Sequence, residues 1–171
     1  MKTLKNILVI VFMFLLTWAS TAQEGISFSV LQDVKLGLGL DKEHNNDKPT
    51  LDIIALMNWE GKQQTHYYFA IQTLFEHAQL SSGDLTRYGV NGVWNFNQLI
   101  VENLTVSPSL GIGVLRRPNS GGLLTYSLGC ETSLKVLKNV SIVLRNEWFK
   151  RPDLKNKKLG YNLAFGINYK I

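Results

Sequence analysis

Cysteine, proline and helical periodicity are scarce in this sequence, and their scarcity excludes several classes of protein. The 171 residues include four prolines and a single cysteine, Cys130, so no disulfide within the chain can stabilise the fold. A catalytic cysteine needs a basic neighbour and solvent access, and the place of Cys130 on a predicted strand favours a quiet thiol instead. Beyond residue 22, apolar residues do not recur every three or four positions, so the sequence predicts no helical domain.

The chain also has no long stretch dominated by positive or by negative charge. The sequence has 18 Lys and Arg residues against 13 Asp and Glu residues, and both kinds are scattered. Lys155, Lys157 and Lys158 form the one dense basic cluster, which a solvated loop explains. The sequence therefore predicts no nucleic-acid partner, because such a partner requires a basic stripe or patch.

The first 22 residues have the features of a secretory signal peptide. Lys2 and Lys5 precede an apolar segment, Ile7–Leu16, and small residues precede a cleavage site after Ala22. The apolar run of about 13 residues is too short for a membrane-spanning helix, which needs roughly 20. We therefore predict a signal peptide over residues 1–22 and one exported domain over residues 23–171.

The exported part alternates large apolar residues with small or polar ones. The alternation is unbroken in residues 160–171, where the large set is Tyr161, Leu163, Phe165, Ile167, Tyr169 and Ile171. A period of two places the two sets on opposite faces of a β-strand. Turn residues divide the chain into eight predicted strands, at about 26–40, 50–59, 65–77, 85–96, 104–115, 123–136, 140–150 and 160–171.

The composition of the polar face distinguishes two kinds of barrel. A soluble barrel encloses its apolar face and exposes Lys, Glu and Thr to water, whereas this polar face is rich in Gly, Ser and Asn. Small residues suit the crowded interior of an eight-stranded barrel, and the large face suits hydrocarbon. The pattern favours an antiparallel up-and-down transmembrane β-barrel. The alternative is a soluble, exported, lipocalin-like barrel that binds an apolar ligand.

Aromatic residues at the strand ends also favour a membrane barrel. If both termini are periplasmic, one group falls at the periplasmic ends: Trp59, Tyr67, Trp94, Phe96 and Tyr169. A second group falls at the outer ends: Phe75, Tyr88, Tyr126, Trp148 and Tyr161. Two such girdles are what amphipathic rings form at the two membrane interfaces.

Two places leave the strand register open. The second strand carries Ile54 and Leu56 on its otherwise polar face. The link over residues 97–103 contains Leu99, Ile100 and Val101, and is more apolar than a simple turn. A shift of one residue would exchange the two faces of either strand.

The exported chain resembles the small eight-stranded outer-membrane β-barrels of Gram-negative bacteria, such as outer-membrane protein X and the barrel domain of outer-membrane protein A. The resemblance depends on the signal, the length, the strand count and the final strand with Tyr169 and Ile171. These families usually end in an aromatic residue, so Ile171 departs from their pattern. The resemblance implies a location in the bacterial outer membrane, with membrane lipid as a partner.

The inward face also carries eight charged residues: Lys35, Asp52, Glu76, Arg87, Glu131, Lys135, Arg145 and Glu147. Charges inside a narrow barrel must be paired, because an isolated buried charge is costly. Glu131 and Arg145 lie seven positions on either side of residue 138, at the turn between their strands, so we predict that they pair directly. The preferred interpretation is a salt-bridge core that plugs the lumen, and the alternative is a small gated conduit.

Residues with catalytic potential are sparse. His44, His66 and His77 are too scattered for a metal site, and we predict no cofactor. His77 with Ser81, Ser82 and Asp84 contains the residue types of a nucleophile–base pair. Small outer-membrane barrels resembling lipid A deacylases or palmitoyltransferases use such groups, but no matching motif is present.

The sequence therefore predicts a monomeric, porin-like barrel of the cell envelope that is not an enzyme. Its expected role is structural, in surface interaction, or as a subunit of an envelope protein complex. A lipid A-modifying enzyme stays as an alternative.

Overall fold

Eight antiparallel strands form a closed barrel in the computed structural model. The structure describes residues 25–40, 49–64, 66–80, 83–97, 101–118, 121–153 and 159–171. The strands are β1 (Gly25–Asp33), β2 (Asp52–Glu60), β3 (Tyr67–Ala78), β4 (Leu85–Asn97), β5 (Leu104–Arg116), β6 (Leu123–Lys135), β7 (Val140–Lys150) and β8 (Leu159–Lys170). Each strand pairs with the next, and β8 pairs with β1. The predicted eight-stranded antiparallel barrel is confirmed, whereas the predicted signal peptide lies outside the described residues.

The barrel has two different ends. We call the end where β1 begins and β8 finishes the terminal end, and the opposite end the distal end. The β6–β7 connection at the terminal end is short and spans residues 136–139. Among the residues that the structure describes, no helix is long and apolar enough to cross a membrane.

The two faces of each strand separate large residues from small and polar ones. In β8, Phe165 and Tyr169 point outward and are exposed, whereas Asn162 and Ala164 point inward and are buried. The same arrangement recurs around the ring, with 29 large hydrophobic residues exposed among those described. This outward apolar face contradicts the soluble, lipocalin-like alternative, in which the large residues would line the interior.

The first strand is shorter than the sequence predicts. Alternation over Val34–Leu40 predicted a continuation of the strand, but β1 ends at Asp33 and Val34–Gly37 forms a short helix, α1. The Asp33 carboxylate caps α1 by accepting a hydrogen bond from the Leu36 backbone N–H at 2.8 Å. Gly39 follows with a positive φ of 66°, which glycine adopts without strain. Leu36 is consequently buried and does not face outward.

The register of β2 is the one first assigned from the sequence. Asp52 and Asn58 point inward and are buried, and so are Ile54 and Leu56. The two aliphatic residues join an apolar cluster, which we call the apolar wall, with Leu31, Leu74, Val143 and Ala164. The β4–β5 link lies between Asn97 and Leu104; Leu99 and Ile100 fall outside the described residues. The lumen is therefore lined by apolar as well as polar side chains.

Closure of the barrel depends on a close approach between β8 and β1. Gly166 lies opposite Leu31, and a Cβ at position 166 would lie 2.0 Å from the Val30 carbonyl oxygen and 2.7 Å from Leu31 Cα. Real Cβ atoms do not approach backbone this closely, and backbone cannot yield as a flexible side chain can. Only glycine therefore fits the seam at this point.

We expect Gly166→Ala to destabilise the barrel by about 1–3 kcal/mol, the usual range for overpacking. Gly121→Ala is the matched control, because nothing lies within 4 Å of its added Cβ. The measurement is the urea midpoint of the protein folded in lipid vesicles. Equal midpoints for the two variants would contradict the assigned seam.

Candidate functional site: the polar lumen

Six of the eight predicted inward charges lie inside the lumen. They come from five strands and are at most 9% exposed. These residues are Asp52, Glu76, Arg87, Glu131, Arg145 and Glu147. The side chains of five of them form one connected series.

Arg87 joins the two sides of the lumen. It lies opposite Glu76 on the neighbouring strand, and its Nε donates to Glu76 Oε2 at 2.6 Å. Its Nη2 donates to Glu147 Oε2 on β7 at 2.5 Å. Since β4 and β7 are three strands apart in the ring, this guanidinium spans the interior.

Arg145 extends the series to β6. Its Nη2 donates to Glu147 Oε1 at 3.2 Å, and its Nη1 donates to Glu131 Oε2 at 3.4 Å. Glu131 lies directly opposite Arg145, so the pairing predicted from their distances to the turn is confirmed. Five charges thus alternate in sign in the order Glu76, Arg87, Glu147, Arg145, Glu131, and we call them the charge chain.

A row of amides continues the hydrogen bonding toward the terminal end. Gln72 Oε1 accepts from Arg145 Nη1 at 2.9 Å and from Asn91 Nδ2 at 2.7 Å. Gln72 Nε2 donates to Asn58 Oδ1 at 2.9 Å, and Asn58 Nδ2 donates to Ser27 Oγ at 3.1 Å.

This amide row was not among the predicted site residues, although its signal was present. Gln72 lies directly opposite both Asn58 and Asn91, and Asn58 lies opposite Ser27. Inward polar residues at matched registers on neighbouring strands would have indicated the row, once the registers were known.

Small residues on β5 and β6 leave room for these long side chains. A Cβ at Gly111 would lie 1.9 Å from Asn91 Oδ1, and one at Gly129 would lie 2.8 Å from Ser109 Oγ and 3.7 Å from Arg145 Nη2. The absence of a side chain at Gly111 therefore makes room for Asn91 of the amide row, and its absence at Gly129 makes room for Ser109.

Lys35 and Lys135 lie apart from the charge chain. Lys35 belongs to α1, because β1 ends before it; its Nζ donates to the Tyr161 carbonyl at 3.0 Å and lies 4.7 Å from the centre of the Tyr161 ring. Lys135 is exposed at the terminal mouth. Another pair closes that mouth, in which Lys170 Nζ donates to Glu60 Oε2.

At the distal end an apolar cap covers the lumen. It consists of Leu36, Ala78, Leu80, Leu85, Leu115 and Phe149. Phe149 also contacts two guanidinium groups, with the Arg87 Cζ 4.2 Å and the Arg151 Cζ 5.7 Å from its ring centre. Such cation–π contacts are favourable, more so where water is excluded.

Above the cap, Asp153 and Arg117 together tie three distal connections to one another. Asp153 Oδ2 accepts from Arg117 Nε and from Arg151 Nη2, both at 2.9 Å, and Arg117 Nη1 donates to the Gly83 carbonyl at 3.0 Å. Burial alone would raise the pKa of Asp153, but hydrogen bonds and the charges of Arg151 and Arg117 outweigh it and lower the pKa below its ordinary value. We call these four residues the distal clamp.

The cavities in the lumen are small. One of about 40 Å³ lies below the distal cap, one of about 10 Å³ lies near Arg87 and Ser127, and one of about 40 Å³ lies near Gln72 and Glu131. A larger space of about 240 Å³ opens at the terminal mouth. Since one water needs roughly 10–15 Å³, each cavity of about 40 Å³ has room for two or three waters and the one of about 10 Å³ for at most one.

The ten aromatic residues predicted for the girdles occupy outward positions of their strands. At the distal half, Phe75 and Tyr88 face each other with ring centres 5.4 Å apart, and Trp148 and Tyr161 do so at 5.3 Å. Tyr126 is also exposed there. The terminal half carries Trp59, Tyr67, Trp94, Phe96 and Tyr169.

The residues considered for catalysis are dispersed. His77 lies on the outward face of β3, where its Nδ1 is 3.2 Å from Thr86 Oγ1. Asp84 is exposed, and Ser81 and Ser82 lie outside the described residues. Within the described part of the chain, no three His, Cys, Asp or Glu side chains are placed to hold a metal ion.

The charge chain predicts a large effect of removing one arginine. Arg145→Met leaves Glu131 without its buried partner and weakens the support of Glu147, so we expect a loss of about 3–5 kcal/mol. Adding Glu131→Gln should recover part of that loss. The measurement is urea unfolding in vesicles followed by tryptophan fluorescence.

Lys135→Met provides the matched control for Arg145→Met, because it removes an exposed cation from the same barrel. We expect it to change stability by no more than about 0.5 kcal/mol. If Arg145→Met were no more destabilising than this control, the charge chain would not stabilise the lumen.

The distal clamp predicts a pH-dependent contribution of Asp153. Because its folded-state pKa is lowered, its stabilisation is fully present above about pH 4, the ordinary carboxyl range, and is lost as the pH falls through the lowered pKa. The wild type should therefore be more stable than Asp153→Asn at pH 6, and this difference should shrink toward pH 2. Urea midpoints measure the difference; Asp84→Asn, which changes an exposed carboxylate, should show no such trend.

Comparison with known proteins finds similarity in structure but not in sequence. No protein-family model matches the chain, and no curated protein matches it significantly. The outer-membrane protein Ail of Yersinia pestis, solved in a phospholipid bilayer nanodisc, aligns with a TM-score of 0.56 and 17% identity over 88% of this chain and 99% of Ail. The crystal structure of Ail, described as the attachment invasion locus protein, gives a TM-score of 0.53 and 14% identity over the same shares.

A designed protein gives a similar result. A de novo transmembrane β-barrel aligns with a TM-score of 0.50 and 14% identity over 87% of this chain and 97% of the design. At these identities the similarity concerns the fold alone, but it extends over nearly the whole of each neighbour. The resemblance noted from the sequence is confirmed at that level: the chain has the fold of the small eight-stranded outer-membrane β-barrels.

Proposed function

We propose that the protein is a non-conducting, non-enzymatic barrel of the bacterial outer membrane that acts as a structural subunit of an envelope assembly. The observation that carries the proposal is the filled lumen. Charged and amide side chains occupy it and bond to one another, so the surfaces left for a function are the outer wall and the connections at the two ends.

The charge chain supports a closed lumen. An ion passing through would have to separate Arg87 from Glu76 and Glu147, or Arg145 from Glu131 and Glu147, all of them buried. Breaking a buried ion pair costs several kcal/mol. The cavities beside the chain, of about 10 and 40 Å³, leave no room to solvate the ion while this happens.

The distal connections are poorly suited to a large binding surface. Two of them, residues 79–84 and 117–122, are only six residues long. The longer β1–β2 connection begins with α1, whose Leu36 packs into the apolar cap and so belongs to the closure of the lumen. These features favour a role of the outer wall over one as an adhesin or receptor.

Asn146 is one of the polar residues on the outer wall, and its surroundings favour a protein contact there. Asn146 occupies an outward position of β7 between Leu144 and Trp148, both of them exposed. Its Oδ1 accepts a hydrogen bond from the Tyr161 hydroxyl at 2.7 Å, and Cys130 lies opposite it. Polar side chains of this kind join protein surfaces within membranes, so we place the contact with a partner on the β6–β8 side.

The test is photo-crosslinking in cells from two outward positions on opposite sides of the barrel. A photo-reactive residue replacing Leu144 on β7 should form a crosslink to another protein, whereas one replacing Ile71 on β3 should react with lipid only. Purification in mild detergent after irradiation, followed by mass spectrometry, identifies the products.

Other outcomes would contradict the proposal in distinct ways. No protein adduct from either position would indicate an isolated barrel surrounded by lipid. Unit conductance in planar bilayers would indicate an open lumen. A change in lipid A mass on overexpression that His77→Ala abolishes would indicate an enzyme.

A further inference from the structure

The cavity below the distal cap has an unusual lining. It measures about 40 Å³ and is bordered by three carboxylates, Asp33, Asp52 and Glu76, and by the amide of Asn162. A site for one water needs roughly 10–15 Å³, so this cavity can hold a small ion together with one or two waters.

Two oxygen atoms at this cavity have no hydrogen-bond partner among the residues that the structure describes. They are Asp52 Oδ1 and Asn162 Oδ1, on residues that are only 1% and 5% exposed. Leaving a buried polar atom unpaired is costly, and more so for a carboxylate. Both atoms are acceptors, so the partner they require is a hydrogen-bond donor or a cation.

The cationic side chains near the cavity are engaged elsewhere. Arg87 bonds to Glu76 and Glu147, and Arg151 bonds to Asp153 through both Nε and Nη2 at 2.9 Å. Lys35 donates to the Tyr161 carbonyl. None of these three cations donates a hydrogen bond to Asp52 Oδ1.

The other two carboxylates have assigned partners. Asp33 accepts from the Leu36 N–H as the cap of α1, and Glu76 accepts from Arg87 and from Asn162 Nδ2, the latter at 3.5 Å. This last contact orients the Asn162 amide so that its nitrogen faces Glu76, and its carbonyl oxygen is the atom left without a partner. Among the described residues that line the cavity, the buried oxygen atoms without a hydrogen-bond partner are thus those of Asp52 and Asn162.

We propose that the distal cavity binds one partly hydrated hard cation through Asp52 Oδ1 and Asn162 Oδ1. The donor set contains only oxygen, which suits Na⁺, Mg²⁺ or Ca²⁺ and not softer metals that prefer nitrogen or sulfur. Since no three acidic or imidazole side chains in the described part of the chain are placed to hold a metal by themselves, water completes the coordination.

The experiment compares wild type with Asp52→Asn, an isosteric change that removes the charge. The full barrel is folded in detergent, treated with a chelator and kept at constant ionic strength with choline chloride. Ca²⁺, Mg²⁺, Na⁺ and K⁺ are then titrated separately while Tm is recorded. The wild-type Tm should rise by roughly 5 °C at about 100 times the Kd of the bound ion, and Asp52→Asn should not respond.

Two further variants make the result specific to the cavity. Asp84→Asn removes an exposed distal carboxylate and should respond like the wild type. Asn162→Ala keeps Asp52 but removes the second ligand, so its apparent Kd should rise at least about tenfold, the loss of one ligand contact. In the wild type, the Asn162 side-chain amide resonances should shift with the same Kd as the Tm.

The two possible outcomes are decisive. A rise in Tm that is confined to proteins retaining Asp52, with a matching Asn162 shift, supports the site and identifies its ion. If none of the four ions raises the wild-type Tm, or if Asp52→Asn rises equally, the proposal is overturned, and the Asp52 carboxyl is satisfied by a proton or by water. Neither outcome depends on the crosslinking result for β7.

Discussion

A closed ring of eight strands has an interior about as wide as its own side chains, and the rest of this structure depends on that narrowness. The interior cannot hold the large residues of all eight strands, so most of them form the outer wall. Charges that point inward have no bulk water around them and must be neutralised by one another. Alternation of sign from Glu76 through Glu131 is the arrangement that satisfies both conditions.

The interior is divided between two sides of the ring. The apolar wall draws on β1, β2 and β8 together with Leu74 of β3 and Val143 of β7, whereas the charge chain draws on β3, β4, β6 and β7. Val143 and Arg145 are neighbours on the same face of β7, so the chain packs directly against the wall. A low-dielectric wall strengthens each ion pair and makes an unpaired charge more costly. Charged, amide and apolar side chains thus fill most of the lumen, which is why the proposed partner contact is placed on the outer wall.

The inward and outward faces of the strands could be predicted from the sequence, because alternation with a period of two involves only neighbouring residues of one strand. The pairing of Glu131 with Arg145 could be predicted as well, since a tight turn converts distance along the chain into register. The end of β1 could not: Val34–Leu40 alternates like a strand, but the Asp33 carboxylate and Gly39 stabilise a helical turn instead. The row from Ser27 to Asn91 also escaped prediction, because it depends on the registers of three strand pairs at once.

At the distal end, the cavity that contains Asp52 adjoins the distal clamp. Arg151 borders the cavity that contains Asp52, and the same guanidinium holds Asp153 in the distal clamp. A cation beside Asp52 would repel Arg151 and so favour its bond to Asp153, which does not line the cavity. Occupancy of the cavity and closure of the clamp are then linked, and linkage is reciprocal. With the proposed ion in the cavity, its binding helps to hold in place the three distal connections that Asp153 and Arg117 join.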